Sequence, residues 1–215
     1  MGTCYLVGAG DFGSGQLKPS EDDIVIACDG GLLACQSRGI HPDYVIGDFD
    51  SLGFVPENEA YIKLPVEKDI TDVKAGADLA RRLGYRSLEL FGGTGGRLSH
   101  TIANIQMMIG LAAEGIRCRL HGVGSIIYVL AAGRHVSDGQ SNPGCHVDFK
   151  ADKRGSISFF AVDGPVKGVT ISGMKYDVSG CTLEASFPLG VSNSFIGRDS
   201  FIEFDEGRLL VIEEL

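Results

Sequence analysis

The chain predicts an N-terminal α/β domain, a three-layer arrangement around a mostly parallel sheet, followed by an all-β sandwich. Two observations carry this. In the first part, short apolar runs alternate with segments of helical periodicity, the pattern of strands joined by helices that pack on a parallel sheet. After about Ala131 that periodicity stops, and short strand-like runs separated by turn dipeptides take over. The boundary falls near Gly133, giving domains 1–132 and 133–215.

Cys4 to Val7 and Ile24 to Ala27 read as strands, and Leu32 to Arg38 as a short helix closed by Gly39. Tyr44 to Ile46 and Tyr61 to Leu64 are further strands. Asp72 to Leu83 reads as a helix: Val73, Ala77 and Ala80, with Leu79 and Leu83 beside them, form an apolar stripe that Gly84 ends. Ser87 to Phe91 is a strand, Leu98 to Glu114 a long helix ended by Gly115, and Arg117 to Leu120 and Ile126 to Leu130 two more strands. Beyond the boundary the strand-like runs are His146 to Phe149, Ser156 to Ala161, Val166 to Ile171, Thr182 to Ala185, Phe201 to Phe204 and Leu209 to Ile212. Asp163-Gly164-Pro165, Ser179-Gly180 and Glu206-Gly207 separate them as turns, and Ser137 to Gly144 reads as a surface loop.

A net charge of −9 disfavours a nucleic-acid backbone as partner, because such sites are basic; it leaves room for a nucleotide that arrives with its metal. None of the six cysteines forms a C-x-x-C pair, so they read as reduced core residues of a cytoplasmic protein. The N-terminus has no basic region before its short apolar run and reads as a first strand, not a signal peptide. No apolar stretch is long enough to cross a bilayer, so no membrane association is expected.

Gly8-Ala9-Gly10-Asp11-Phe12-Gly13 matches the dinucleotide-binding spacing, but that motif must open a helix whose N-terminus holds the pyrophosphate. Gly13, Gly15 and Pro19 crowd the residues before the next strand, and no ordinary crossover helix fits.

Four segments carry chemistry. In Ile46-Gly47-Asp48-Phe49-Asp50-Ser51 a strand ends at a glycine and presents two acids two residues apart. In extended backbone both carboxylates point to one face, where they repel unless a cation such as Mg²⁺ lies between them; the alternative is a polar turn. Asp29-Gly30-Gly31 follows a strand and precedes a helix, so Asp29 is either an N-cap or an acid at the ligand-binding end of a parallel strand. Asp69 or Thr71 could cap the helix that Asp72 opens, and capping does not exclude metal binding. Gly92-Gly93-Thr94-Gly95-Gly96-Arg97 has more glycine than a turn needs; such a loop can curl N–H groups round phosphate oxygens while Arg97 grips them in two places. His100 and Asn104 are either part of that site or a polar helix edge. Gly190-Val191-Ser192-Asn193-Ser194 reads as a turn.

Together these segments resemble the thiamine pyrophosphokinase family: D-G-G at Asp29 to Gly31, P-D-Y-V-I-G-D-F-D-S at Pro42 to Ser51, D-I-T-D at Asp69 to Asp72 and G-G-T-G-G-R-L-S-H at Gly92 to His100. Gly173 to Tyr176, Gly190 to Asn193 and the closing G-R-L-L-V-I follow in order. The resemblance implies transfer of a pyrophosphoryl group from ATP to thiamine with release of AMP, in a homodimer with active sites between subunits. It implies that Asp48, Asp50 and Asp72 hold Mg²⁺ and act in catalysis. Asp29, Asp69, Thr71, Gly92, Gly93, Thr94, Arg97 and His100 would serve the nucleotide, and Ser99, Ser192 and Asn193 would lie near thiamine. Ser99 departs from the family's usual acid, which motivates one rival, another small alcohol such as a pterin carbinol as acceptor; a second rival, a non-catalytic nucleotide- or thiamine-binding protein, is opposed by Asp48, Asp50 and Asp72, which repel unless a metal is used. The chain has no Trp, so stacking on thiamine falls to Tyr, Phe or an aliphatic face.

Overall fold

A computed structural model describes residues 2–13, 15–48, 61–63, 65, 69–133 and 144–215. The chain divides into two compact units, residues 1–108 with 116–124 and residues 109–115 with 125–215.

The first unit is built on β1 (Cys4–Val7), β2 (Ile24–Cys28), β3 (Tyr44–Gly47), β4 (Tyr61–Lys63), β5 (Ser87–Phe91) and β6 (Arg117–Gly122), with α1 (Gly31–Gln36), α2 (Asp72–Arg82) and α3 (Leu98–Ala113) as far as Met108. The strands stand in the order β4-β3-β2-β1-β5-β6, and every neighbouring pair is parallel. Alternation along the strands sends Val7, Val25, Ala27 and Val45 to the face that α1 covers with Leu32 and Cys35. Leu6, Ile26 and Cys28 turn to the opposite face, where Gly76 of α2 lies against them. A Cβ on Gly76 would come within 2.8 Å of Cys28 Sγ, so this glycine sets how closely α2 approaches the sheet.

As expected, no helix lies between β1 and β2 among the described residues. Phe12 and Leu17 of that connection pack with the α1 cluster instead. The strand order reverses between β1 and β5, and the ends of these two neighbours therefore frame a crevice of the kind that binds ligands in open parallel sheets.

α2 starts as its sequence dictates: Thr71 is the N-cap, its Oγ1 accepting from Lys74 N at 3.2 Å, and Asp72 sits in the first turn. Gly84, at φ 93°, ends it. Leu83, expected on the apolar stripe, is instead the exposed C-cap of the helix. Asp29 does not cap α1; Gly30 is the N-cap and no side chain bonds there.

The second unit contains β7 (Ser125–Ala131), β8 (Cys145–Phe149), β9 (Ser156–Ala161), β10 (Val166–Ser172), β11 (Val178–Leu183), β12 (Gly190–Ser194), β13 (Ser200–Phe204) and β14 (Arg208–Glu214). They form two antiparallel layers, β12-β9-β14-β7 and β11-β10-β13-β8. Phe149, Phe159, Phe204, Ile202 and Val211 belong to one buried cluster drawn from both layers, as a sandwich requires.

Two expectations fail here for one reason. Ser179-Gly180 is not a turn but lies inside β11, and Gly190 to Ser194 is not a turn but edge strand β12. Gly180 at φ 61° and Ser192 at φ 60° sit at irregularities where the strand pairing shifts register. Turn-forming residues serve equally in bulges. The Ser137 to Gly144 loop lies outside the described residues except for Gly144. All six cysteines are free, and five are buried.

Candidate active site

Just beyond β1 and β5 the two glycine runs lie against each other. Gly8 N donates to Phe91 O at 2.8 Å, Gly10 N to Gly92 O at 2.8 Å and Asp11 N to Thr94 O at 2.7 Å. The contact is backbone on backbone. A Cβ on Gly10 would stand 2.1 Å from Thr94 O, and one on Gly92 would stand 2.2 Å from Gly8 O. At Gly95 the added atom would meet the Asp11 carboxylate. Most of this glycine is therefore explained by close packing. At Gly96 none of the described residues beyond its two chain neighbours comes within 4 Å of the added atom, so that glycine answers no packing need among them.

The acids gather at the same end of the sheet. Asp29 follows β2 at φ 48°, a left-handed conformation uncommon for a residue with a side chain. Its N–H donates to Ile46 O at 2.8 Å and its carbonyl accepts from Leu32 N at 3.0 Å, so strand β3 and helix α1 fix it from both sides. Asp48 directly follows β3, half-buried. Thr71 and Asp72 open α2, and Asp69 stands exposed just before them.

A cleft of about 340 Å³ joins these parts. Asp29, Thr71 and Asp72 line it, with Gly92, Gly93, Thr94, Arg97 and His100. Of the residues singled out by sequence in this unit, Asp48, Asp69 and Ser99 are not among its lining, and Asp50 lies outside the described residues. Ser99 is exposed in the first turn of α3. The structure adds Gly8, Ala9 and Gly10 to the lining, the stretch that mimics a dinucleotide motif. Asn104, read from sequence as either part of this site or a polar helix edge, lines it too, its spacing of four from His100 putting both on one helix face. Cys28 lines the cleft too; burial, with the Asp72 charge second, pushes its thiol well above the ordinary range and keeps it neutral.

Ser192 and Asn193 belong to the second unit. Ser192 is exposed, and its N–H donates to Ser158 Oγ at 3.0 Å. Asn193 is buried. Its Oδ1 accepts from Tyr176 N at 3.0 Å and its Nδ2 donates to Tyr176 O at 2.8 Å, a two-point grip on one peptide segment. The ring of Tyr176 remains more than half exposed, with Lys175 Nζ 5.2 Å from its centroid.

Among the described residues no three His, Cys, Asp or Glu side chains form a group able to hold a metal ion. The donor chemistry nevertheless suits a hard cation: the cleft carries two carboxylates, Asp29 and Asp72, and Mg²⁺ is usually held by one or two carboxylates together with substrate phosphates rather than by a full protein cage.

Residues 17–120 match the family described as thiamin pyrophosphokinase, catalytic domain, and residues 145–209 match the thiamin pyrophosphokinase vitamin B1 binding domain. A curated thiamine pyrophosphokinase from Bacillus subtilis is 26% identical over 198 residues, covering 89% of this chain and 87% of that protein. The crystal structure of a thiamine pyrophosphokinase from the same species superposes with a TM-score of 0.79 at 26% identity, covering 99% of this chain and 98% of the other. That of a thiamin pyrophosphokinase from Geobacillus thermodenitrificans gives 0.77 at 25% identity, over 99% and 97% of the two chains.

Proposed function

This chain belongs to the thiamine pyrophosphokinase family, and on that premise we propose that it transfers a pyrophosphoryl group from ATP to the hydroxyl of thiamine at the cleft beyond β1 and β5. The hydroxyl oxygen attacks the β-phosphorus, the bond from that phosphorus to the α–β bridging oxygen breaks, and AMP leaves. Transfer of this kind asks the protein for in-line positioning and charge neutralisation more than for covalent chemistry.

The observation that carries the reading is the pairing, in one cleft, of acids from β2 and α2 with Arg97 and His100 at the start of α3. Arg97 presents a planar guanidinium to phosphate oxygens. Gly92, Gly93 and Thr94 bring backbone close to the triphosphate, and Thr71 fixes the first turn of α2 so that Asp72 keeps its place. Asp72, with Asp48 and Asp50, would hold Mg²⁺, with Asp29 and Asp69 in support. The ion, when bound, would neutralise charge on the phosphate oxygens.

For thiamine we propose the surface around Ser192, Asn193 and Tyr176, with Ser99 near the substrate. The exposed Tyr176, whose backbone N–H and C=O Asn193 grips, supplies a flat face for an aromatic cation. We further propose a homodimer with active sites at the subunit interface, located in the cytoplasm. Tyr176, Phe187, Leu189, Val191 and Ile196 are exposed large apolar side chains of the second unit, consistent with a covered surface. Light scattering should return twice the 22.8 kDa of the chain.

The test is phosphorus NMR of the protein with Mg-ATP and thiamine. AMP and thiamine diphosphate appearing together support the proposal. AMP formed only with another small alcohol would move the assignment to a different acceptor, which the serine at position 99 favours. Nucleotide binding without any AMP would leave a binding protein.

A further inference from the structure

Four successive carbonyls, from Phe91 to Thr94, run along the glycine loop, and each accepts a hydrogen bond. Phe91 O, Gly92 O and Thr94 O are taken by the N–H groups of Gly8, Gly10 and Asp11. Gly93 O is taken by a side chain: Asn104 Nδ2 donates to it at 2.9 Å, from a residue only 4% exposed. The three main-chain donors come with the fold. The fourth depends on the residue type at one position of α3.

A carbonyl left without a donor in a phosphate-binding loop carries a partial negative charge and is free to turn toward the ligand. An accepted carbonyl is held in place and partly neutralised, leaving the loop more favourable to an anion. Gly93 has little freedom otherwise, since a Cβ there would meet Leu120, Leu90 and Asn104 itself at 2.6–3.1 Å. Asn104 also ties the loop to the helix that carries His100, one turn earlier.

We propose that Asn104 is a positioning residue for the triphosphate: by capturing Gly93 O it keeps the loop's carbonyls off the phosphates. This rests on the nucleotide occupying the cleft as proposed above. The inference goes further by assigning affinity for the anion to one amide outside the acid cluster and outside Arg97.

The experiment compares wild type with Asn104→Leu, which keeps similar volume and removes the donor, and with Asn104→Asp. Wild type is first shown to bind and turn over Mg-ATP; binding without turnover removes the functional reading alone, and failure to bind ATP overturns both. With wild type active, Asn104→Leu should raise the KM for ATP about tenfold while the KM for thiamine stays within about twofold, as expected for loss of one hydrogen bond to a ligand-binding loop. An unchanged KM for ATP, or an equal rise for both substrates, overturns the proposal. If Asn104→Leu does not fold, Asn104→Asp decides. Its neutral acid has an O–H that can donate to Gly93 O, whereas its carboxylate cannot. At a position only 4% exposed burial raises a carboxyl's pKa, so ATP affinity relative to wild type should recover as pH falls from 8 to 5.5, and a flat ratio overturns the proposal.

Discussion

Gly47 is the surface against which Asp29 rests: a Cβ at position 47 would lie 3.1 Å from Asp29 Cα and 3.2 Å from its Cβ. Asp29 already holds a left-handed φ of 48°. The end of β3 therefore limits where the first acid of the cleft can stand, and a strand residue that touches no ligand shapes the site.

Gly47→Ala should displace Asp29 by a few tenths of an ångström and lower turnover at least tenfold. The overpacking should cost about 1–3 kcal/mol of stability. Initial rates and chemical denaturation measured on the same preparation check this; normal turnover would remove Asp29 from the site.

The glycines of the loop divide by what surrounds them. Gly10→Ala should be severely destabilising, because the added carbon meets backbone oxygens that cannot swing aside. Gly96→Ala should leave the melting temperature unchanged, since among the described residues, its two chain neighbours aside, no atom lies within 4 Å of the new carbon. It should nonetheless raise the KM for ATP, because Gly96 lines the cleft. Thermal melts paired with steady-state kinetics separate the two effects.

Asn193→Ala removes both bonds to Tyr176 and leaves its backbone N–H and C=O without their side-chain partner. A loss of about 1–3 kcal/mol is expected. The KM for thiamine should rise by more than the KM for ATP, and equal changes would confine Asn193 to a folding role.

His146 gives the second unit a pH dependence. Its bond to Glu203 raises its pKa above the ordinary histidine value, and Asp148 adds to the effect. A group whose folded pKa is raised stabilises the protein fully below its unfolded pKa of about 6.5 and loses that effect as pH climbs through the folded value. His146→Gln should accordingly lower the melting temperature at pH 5.5 and converge on wild type in alkaline solution. A constant difference across that range would contradict the assignment.

The sheet, its helices and the ends of most strands are legible in the sequence because apolar spacing and glycine stops act locally. The Asp29, Asp72 and Arg97 constellation is legible as well, since each residue sits at the end of a recognisable element. What the sequence hides is what needs a partner from elsewhere in the chain. Gly8 to Gly10 reads as a failed dinucleotide motif until Gly92 and Thr94 are placed beside it. Asn104 reads equally as a site residue or a polar helix edge until Gly93 O is found against its amide. Gly180 and Ser192 read as turns, because a bulge and a turn draw on the same residues and differ only in what pairs alongside.

A crystal structure with magnesium and an ATP analogue carrying a methylene bridge between the α- and β-phosphates tests the convergence of acids on the triphosphate most directly. The account predicts the triphosphate between Arg97 and Asp72, with the ion contacting at least Asp72 and one acid from the end of β3. A nucleotide bound outside this cleft, or an ion touching none of these carboxylates, would contradict it.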